Sequence, residues 1–179
     1  SVAAPGTDLT GDLIIYGGFR TGATPPAIPT NFTNLQTSTD DLATDISVRV
    51  AYRITTGNAE TVSGISASTR SLVSVWRGVN ATPVGSSAIG NSGGSAGTTI
   101  TIPNLALVNT ASRVVAIMFN NAASTPSLPS GHADLDSGNA SGFGYRHAQL
   151  VSPGGTYSLY TSTQTSANWI AAAVEIRSS

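Results

Sequence analysis

The hydrophobic positions along this chain recur with a period of two. In Ile46-Ser-Val-Arg-Val-Ala-Tyr-Arg-Ile54, residues Ile46, Val48, Val50, Tyr52 and Ile54 share one side, and Ser47, Arg49, Ala51 and Arg53 share the other. That alternation is the mark of a half-buried antiparallel strand. Short runs of β type, bounded by turn residues, follow at Leu13–Phe19, Leu72–Val79, Thr98–Ile102, Arg113–Phe119, Phe143–Leu150, Thr156–Thr161 and Asn168–Ile176. The run Arg113–Phe119 is apolar on both faces, which predicts a central strand covered twice. No capped amphipathic segment longer than two turns is found, so helices are not expected. The pattern predicts an all-β protein of about eight main strands, with minor ones near Val62 and Leu105.

Polar connections separate the runs. Residues 20–45 and 80–97 are rich in Gly, Pro, Ser, Thr and Asn, and Gly85–Gly97 is nearly a linker by composition. The strands on either side are too few to close separate cores. The chain 1–179 is therefore expected to form a single β-sandwich domain with a long loop at about 80–97. A weak internal repeat shapes the architecture. Leu13–Phe19 leads to Pro25-Pro-Ala-Ile-Pro-Thr-Asn-Phe32, and Arg113–Phe119 leads to Thr125-Pro-Ser-Leu-Pro-Ser-Gly-His132. Each half continues with a Tyr-Arg strand (Tyr52-Arg53, Tyr145-Arg146), a Gly turn, a Thr/Ser-rich strand and a closing apolar strand, Leu72–Val79 or Trp169–Ile176. Two related four-strand halves folded on each other predict a jelly-roll-like antiparallel β-sandwich.

Composition narrows the function classes. The chain is 40% hydrophobic, yet only 9% of its residues are charged, against roughly 25% in average globular proteins. Its surface must be built from Ser, Thr, Asn, Ala and Gly, which suits broad contact with protein subunits or with sugars. All eight basic residues are arginine and the net charge is −1, which leaves no electrostatic footprint for nucleic acid. There is no cysteine, hence no disulfide or thiolate chemistry. The longest apolar run, Trp169–Val174, is far short of a membrane span and fits a buried strand, so no membrane insertion is expected. Ser1 is the kind of small residue left after removal of an initiator Met, and equally suits a domain cut from a longer protein.

The order of the sequence blocks resembles a recurrent β-sandwich module of tailed-bacteriophage virion proteins, found in tail fibres, minor tail proteins and capsid-surface decoration proteins. The matching stretches are Ala4–Ile15, Ile28–Phe32, Val50–Gly57, Val75-Trp-Arg-Gly-Val79 and Ala167–Val174. They span almost the whole chain. Phe32 and His132 stand where the module commonly has tryptophan, and its usual upstream segment is short or missing. The resemblance implies a non-enzymatic structural protein on the virion surface that self-associates, as a homotrimer, alongside other virion proteins. It transfers no catalytic residue and implies no cofactor.

The residues offer little from which to build a reaction centre. His132 and His147 are the two histidines. His147 falls on the strand face shared by Phe143 and Tyr145, a packed or interface position, next to Arg146. No Ser/His/Asp order comes with a nucleophile elbow. Asp12 opens a strand, and Asp40, Asp41 and Asp45 sit in a polar loop, which are ordinary cap and turn positions. Asp134-Leu-Asp-Ser-Gly-Asn139 gathers Asp134, Asp136 and Asn139 as a candidate calcium loop, but it lacks EF-hand spacing and reads better as a solvated turn. The aromatic residues are the better candidates for contact. In the last strand Trp169 is expected to face out with Glu175 and Arg177, opposite a core of Ile170, Ala172, Val174 and Ile176. Trp76 and Tyr160 join it as candidate interface or glycan contacts. An outward aromatic of this kind is covered by a loop, lies in an oligomer interface, or stacks on a sugar. The neutral faces of Arg113–Phe119 and Trp169–Ile176 are expected to supply subunit contacts. The alternative reading is a carbohydrate- or host-receptor-binding module, in which the loops around 20–45, 80–97 and 120–141 supply hydrogen bonds to a host-surface glycan.

Overall fold

The period-two pattern becomes a set of antiparallel strands in the computed structural model of the chain, which describes residues 2–3, 9–40, 46–57, 60–66, 68–140, 142–151 and 153–179. The first part of the chain forms β1 (Val2–Ala3), β2 (Leu13–Thr21), β3 (Thr33–Asp40), β4 (Ile46–Ile54), β5 (Thr61–Val62), β6 (Arg70–Trp76) and β7 (Val79–Asn91). The second forms β8 (Gly97–Ile102), β9 (Leu105–Ala106), β10 (Arg113–Asn120), β11 (Ala133–Ala140), β12 (Phe143–Val151), β13 (Thr156–Tyr157), β14 (Tyr160–Ala167) and β15 (Trp169–Ser178). Residues 4–8 of the block Ala4–Ile15, and the loop acids Asp41 and Asp45, lie outside the described residues.

Two sheets face each other. One has the order β3-β4-β2-β6, the other β11-β12-β10-β15-β7. Apolar residues of alternate positions fill the space between them: Leu13, Ile15 and Phe19 of β2 meet Val115, Ile117 and Phe119 of β10. Phe19 stacks on Phe119 with ring centroids 5.1 Å apart, an arrangement worth about 1 kcal/mol beyond the area it buries. The all-β sandwich is as expected. Its wiring is not that of a jelly roll, whose strands alternate between sheets, because here each half builds its own sheet and only β7 crosses over. Both outer faces are also covered. Ile100, Ile102, Leu105 and Tyr157 of β8, β9 and β13 pack on Val114, Ala116, Met118, Trp169, Ala171 and Ala173. On the other side Phe32 and Ile65 pack on Ile14 and Tyr16. The strand β10 is therefore buried twice over, as its unbroken apolar run predicts.

The repeat is real in three dimensions and differs in detail from the sequence alignment. The first, second, third and fourth main strands of each half take the same spatial order, second-third-first-fourth. Each second strand carries a bulge at the same place, between Asn34 and Gln36 and between Asp134 and Asp136. Each is preceded by a turn whose left-handed residue is Asn31 (φ 63°) or Gly131 (φ 77°). The Arg49 Nε donates to the Pro26 carbonyl at 2.5 Å and the Arg146 Nε to the Pro126 carbonyl at 2.7 Å. Arg146 thus corresponds to Arg49, not to Arg53, because Val48 pairs with Phe19 as Tyr145 pairs with Phe119.

The expected long loop at 80–97 is largely the strand β7. Its small side chains sit beside Ala171–Ala173 of β15, where Ala88, Ile89 and Gly90 are the partners. Small residues meeting small residues give a close edge pairing that composition alone reads as linker. The polar stretches 20–45 and 120–141 likewise contain β3 and β11.

Candidate functional site

The five-stranded sheet is one strand wider than its partner, and the extra width lies on one side. At the other side the sheets are laced together: the Gln36 amide donates to the Ser87 carbonyl at 3.1 Å, and the Asn91 amide to the Thr39 carbonyl at 3.0 Å. So β3 lies over β7, β2 over β10 and β6 over β12, which leaves β11 unopposed. Between β6 and β11 a cleft of about 910 Å³ opens.

Alternation decides what lines it. The inward residues of β12 run Phe143, Tyr145, His147, Gln149, apolar at one end and polar at the other. Phe143 and Tyr145 pack into the central core, while His147 and Gln149 line the cleft with Leu135 and Asp136 of β11. From the facing sheet come five consecutive residues, Val73 to Arg77. The sheets meet where the Arg70 guanidinium lies over the Tyr145 ring at 4.8 Å. They part toward Trp76, whose ring has the Arg113 guanidinium 6.0 Å away.

The polar groups at the base hold one another in place. The Trp76 indole N–H donates to Ser74 Oγ at 2.8 Å, and His147 Nε2 lies 3.4 Å from the same oxygen. Burial pushes the His147 imidazole down to about 4, against a smaller upward pull from Asp134. The imidazole is neutral near pH 7 and a weak base, and the Ser74 hydroxyl oxygen it approaches is the one that accepts from Trp76. Gln149 Oε1 is buried and meets no hydrogen-bond donor among the described residues. Arg77 reaches Asp12 at 3.1 Å, whereas no ion pair to Arg113 is found among the described residues.

The expected site residues separate into three places. Trp76 and His147 come together in the cleft, with Asp136. Arg146 faces the other side of its sheet, where it holds Pro126 and pairs with Asp134 at 2.7 Å. Trp169 lies under the β8–β14 layer, and Tyr160, the first residue of β14, packs against the same cluster. Tyr160 packs edge-on against His132 at 4.7 Å, with Tyr157 donating to or accepting from His132 Nε2 at 2.7 Å. Burial lowers the His132 imidazole and raises the Tyr157 phenol. Trp169 is 8% exposed, Glu175 is fully buried, and the outward face expected for both is a second core. The subunit contacts expected from Arg113–Phe119 and Trp169–Ile176 are ruled out for the same reason, since both strands are covered within one protomer.

The candidate calcium loop is also corrected. Asp134 to Asn139 lie in β11, with the bulge turning Asp134 toward Arg146 and Asp136 toward the cleft. Ser137 donates to Asp134 at 2.7 Å, and Asn139 reaches Thr125 at 3.4 Å. The three oxygens do not converge, and no cluster of three or more metal-binding side chains occurs among the described residues.

Ser74, Arg113, Leu135 and Gln149 are among the cleft residues that sequence reasoning did not select. Gln149 was signalled by its alternation with three inward-facing residues, which makes a polar side chain there anomalous. The remainder depended on knowing which sheet edges face each other. Comparison with protein-family models, with curated proteins and with solved structures gives no match.

Proposed function

We propose that the chain is a non-enzymatic structural module of a tailed-bacteriophage particle, which self-assembles as a homotrimer on the capsid or tail surface. One observation carries the assembly. Leu9, Ile54, Val108 and Val151 are 41–62% exposed, and all four gather at the end of the sandwich where β2 and β10 begin. Ile54 pairs with Leu13 and Val151 with Arg113. Thr55 bonds the Leu9 carbonyl, and the Val108 N–H reaches Glu175. In a chain this poor in charge, an apolar end suits contact with like surfaces around a symmetry axis. The virion setting rests on the order of the sequence blocks, which the sandwich supports at the level of fold class.

Sedimentation velocity at micromolar concentration tests the assembly, and mass analysis of purified particles tests the setting. The expected results are a trimer that Val108→Asp with Val151→Asp converts to monomer, and the chain present in stoichiometric copies on particles. A strictly monomeric wild type that is missing from particles would overturn the proposal.

A further inference from the structure

Four strands form the sheet edges: β3 and β6 in one sheet, β7 and β11 in the other. Exposed edges invite pairing with foreign strands, and proteins blunt them with bulges, charges and proline. Three of these edges are blunted. β3 carries the bulge at Leu35 and is laced to β7. β7 carries Pro83 and two register shifts. β11 carries the bulge at Leu135 and the acids Asp134 and Asp136.

The fourth is not. β6 pairs with β2 in unbroken register from Trp76 opposite Leu13 to Arg70 opposite Phe19. From Ser71 to Trp76 it holds no charge and no proline. Among the described residues it has no second neighbour. Its last four residues, Val73 to Trp76, line the cleft together with Arg77 just beyond, so it is the strand's edge, not one side-chain face, that borders the open space.

The geometry also says what kind of strand fits. A second copy pairing β6 to β6 would bring its own β12 beneath its β6, and that position is already filled by β11 of the first copy. The overhanging β11 thus bars a whole sheet edge and admits one isolated strand. The width is that of a single strand, about 5 Å, and the stretch Val73–Arg77 corresponds to about 17 Å. A strand laid there would extend the four-stranded sheet to five and cover Leu135, which is 39% exposed. It would also bring donors to Gln149 Oε1. At the end of the groove Arg113 offers a guanidinium held beside Trp76.

We infer that the cleft is a slot for one added β-strand: an extended, β-forming C-terminal segment of another polypeptide, uncharged apart from its terminal carboxylate, that pairs along β6, lies over β11 and sets that carboxylate against Arg113. Main-chain hydrogen bonds to the edge supply affinity, and the alternate side chains over Leu135 and Gln149 supply selectivity. The inference is independent of the phage setting: it fails if β6 captures no strand, whereas that setting fails if particles lack the chain.

The probe is a random heptapeptide library with free C-termini, panned on the full chain, with the best binder then followed by amide hydrogen exchange. Expected are alternating β-forming sequences whose binding slows exchange in β6 at Val73–Trp76 at least tenfold. Alternate N-methylation of that peptide should weaken it at least tenfold, as should Leu135→Lys, while Leu128→Lys, at an exposed site elsewhere, leaves it unchanged. Arg113→Gln should cost the free-acid peptide about fivefold and its C-terminal amide nothing. Recovery of no wild-type-selective peptide, indifference to N-methylation, or protection mapped away from β6 would each overturn the inference. So would closure of the slot by dimerisation, or its occupation by sialyllactose in place of peptide.

Discussion

The Ser112 hydroxyl donates to the Glu175 carboxylate at 2.7 Å, tying the lead-in of β10 to the last strand of the chain. The backbone N–H groups of Ser86, Val108 and Asn109 donate to the same carboxylate at 2.8–3.0 Å. One buried acid therefore joins β7, the connection after β9, and β15. Glycine at 85 leaves room for it, since a Cβ there would stand 2.1 Å from Glu175 Oε2. Truncation by Glu175→Ala strips the Ser112 hydroxyl and three backbone N–H groups of their acceptor and should destabilise the fold by about 3 kcal/mol or more. Ser112→Ala should cost about 1 kcal/mol. Urea unfolding of the two variants checks both, and equal small losses would show that the carboxylate is not the anchor.

Acid should weaken this fold through His147. In the unfolded chain its imidazole takes a proton near 6.5, and in the folded chain, where burial dominates, only near 4. A folded value below the unfolded one gives stability that is complete above 6.5 and declines as pH falls toward 4, by up to roughly 3 kcal/mol. Glu175 acts in the same direction lower down. Burial alone would raise it, but Ser112 and the N–H groups of Ser86, Val108 and Asn109 together hold it below its ordinary value. Urea midpoints of wild type and His147→Gln should converge between pH 7.5 and 4.5, and an unchanged gap would refute the assignment.

The duplicated arginine latches predict parallel losses. Arg49 bonds the Pro26 carbonyl and Asn34 Oδ1, the latter at 2.7 Å, and Arg146 bonds the Pro126 carbonyl and Asp134. Each latch fastens a proline-containing loop across the outer face of its sheet. Arg49→Gln and Arg146→Gln should each cost about 1–2 kcal/mol, and lysine should not restore the loss because it cannot make the forked pair of bonds. Loop proteolysis near Pro26 or Pro126 would report the released segment, and full stability of both lysine variants would contradict the latch.

The positions of β2, β4, β6, β10, β12 and β15, the double burial of β10 and the existence of a repeat were legible because each depends on period-two alternation, whereas the polar strands β3 and β11 carry too few apolar residues to show it. The expected loop at 80–97 was misread because Gly and Ser also pair well where a neighbour, here Ala171–Ala173, is small. Trp169 was placed outside because alternation gives two faces without saying whether a third layer covers one of them. Of the cleft, Trp76, His147 and Asp136 were in view as separate candidates. Their meeting depends on β6 lying over β12 beside an unopposed β11, which is long-range order that no local pattern carries.

A close approach of the two sheets gives a last test. Gly17 of β2 faces Ile117 of β10, and a Cβ at Gly17 would lie 3.1 Å from Ile117 Cδ1 and 3.2 Å from its Cγ2. Both residues sit at the centre of their sheets, so the backbones cannot simply swing apart. Gly17→Ala would gain about 0.4–1 kcal/mol from a less flexible unfolded chain, but overpacking of this kind costs about 1–3 kcal/mol, so a net loss is expected. Ile117→Val removes Cδ1 and half of the conflict while costing about 1 kcal/mol by itself. The double variant should then be more stable than the sum of the two single losses predicts, by at least about 0.5 kcal/mol. A double-mutant cycle read by urea unfolding measures that coupling, and strict additivity would mean that the sheets separate to admit the methyl without Ile117 yielding.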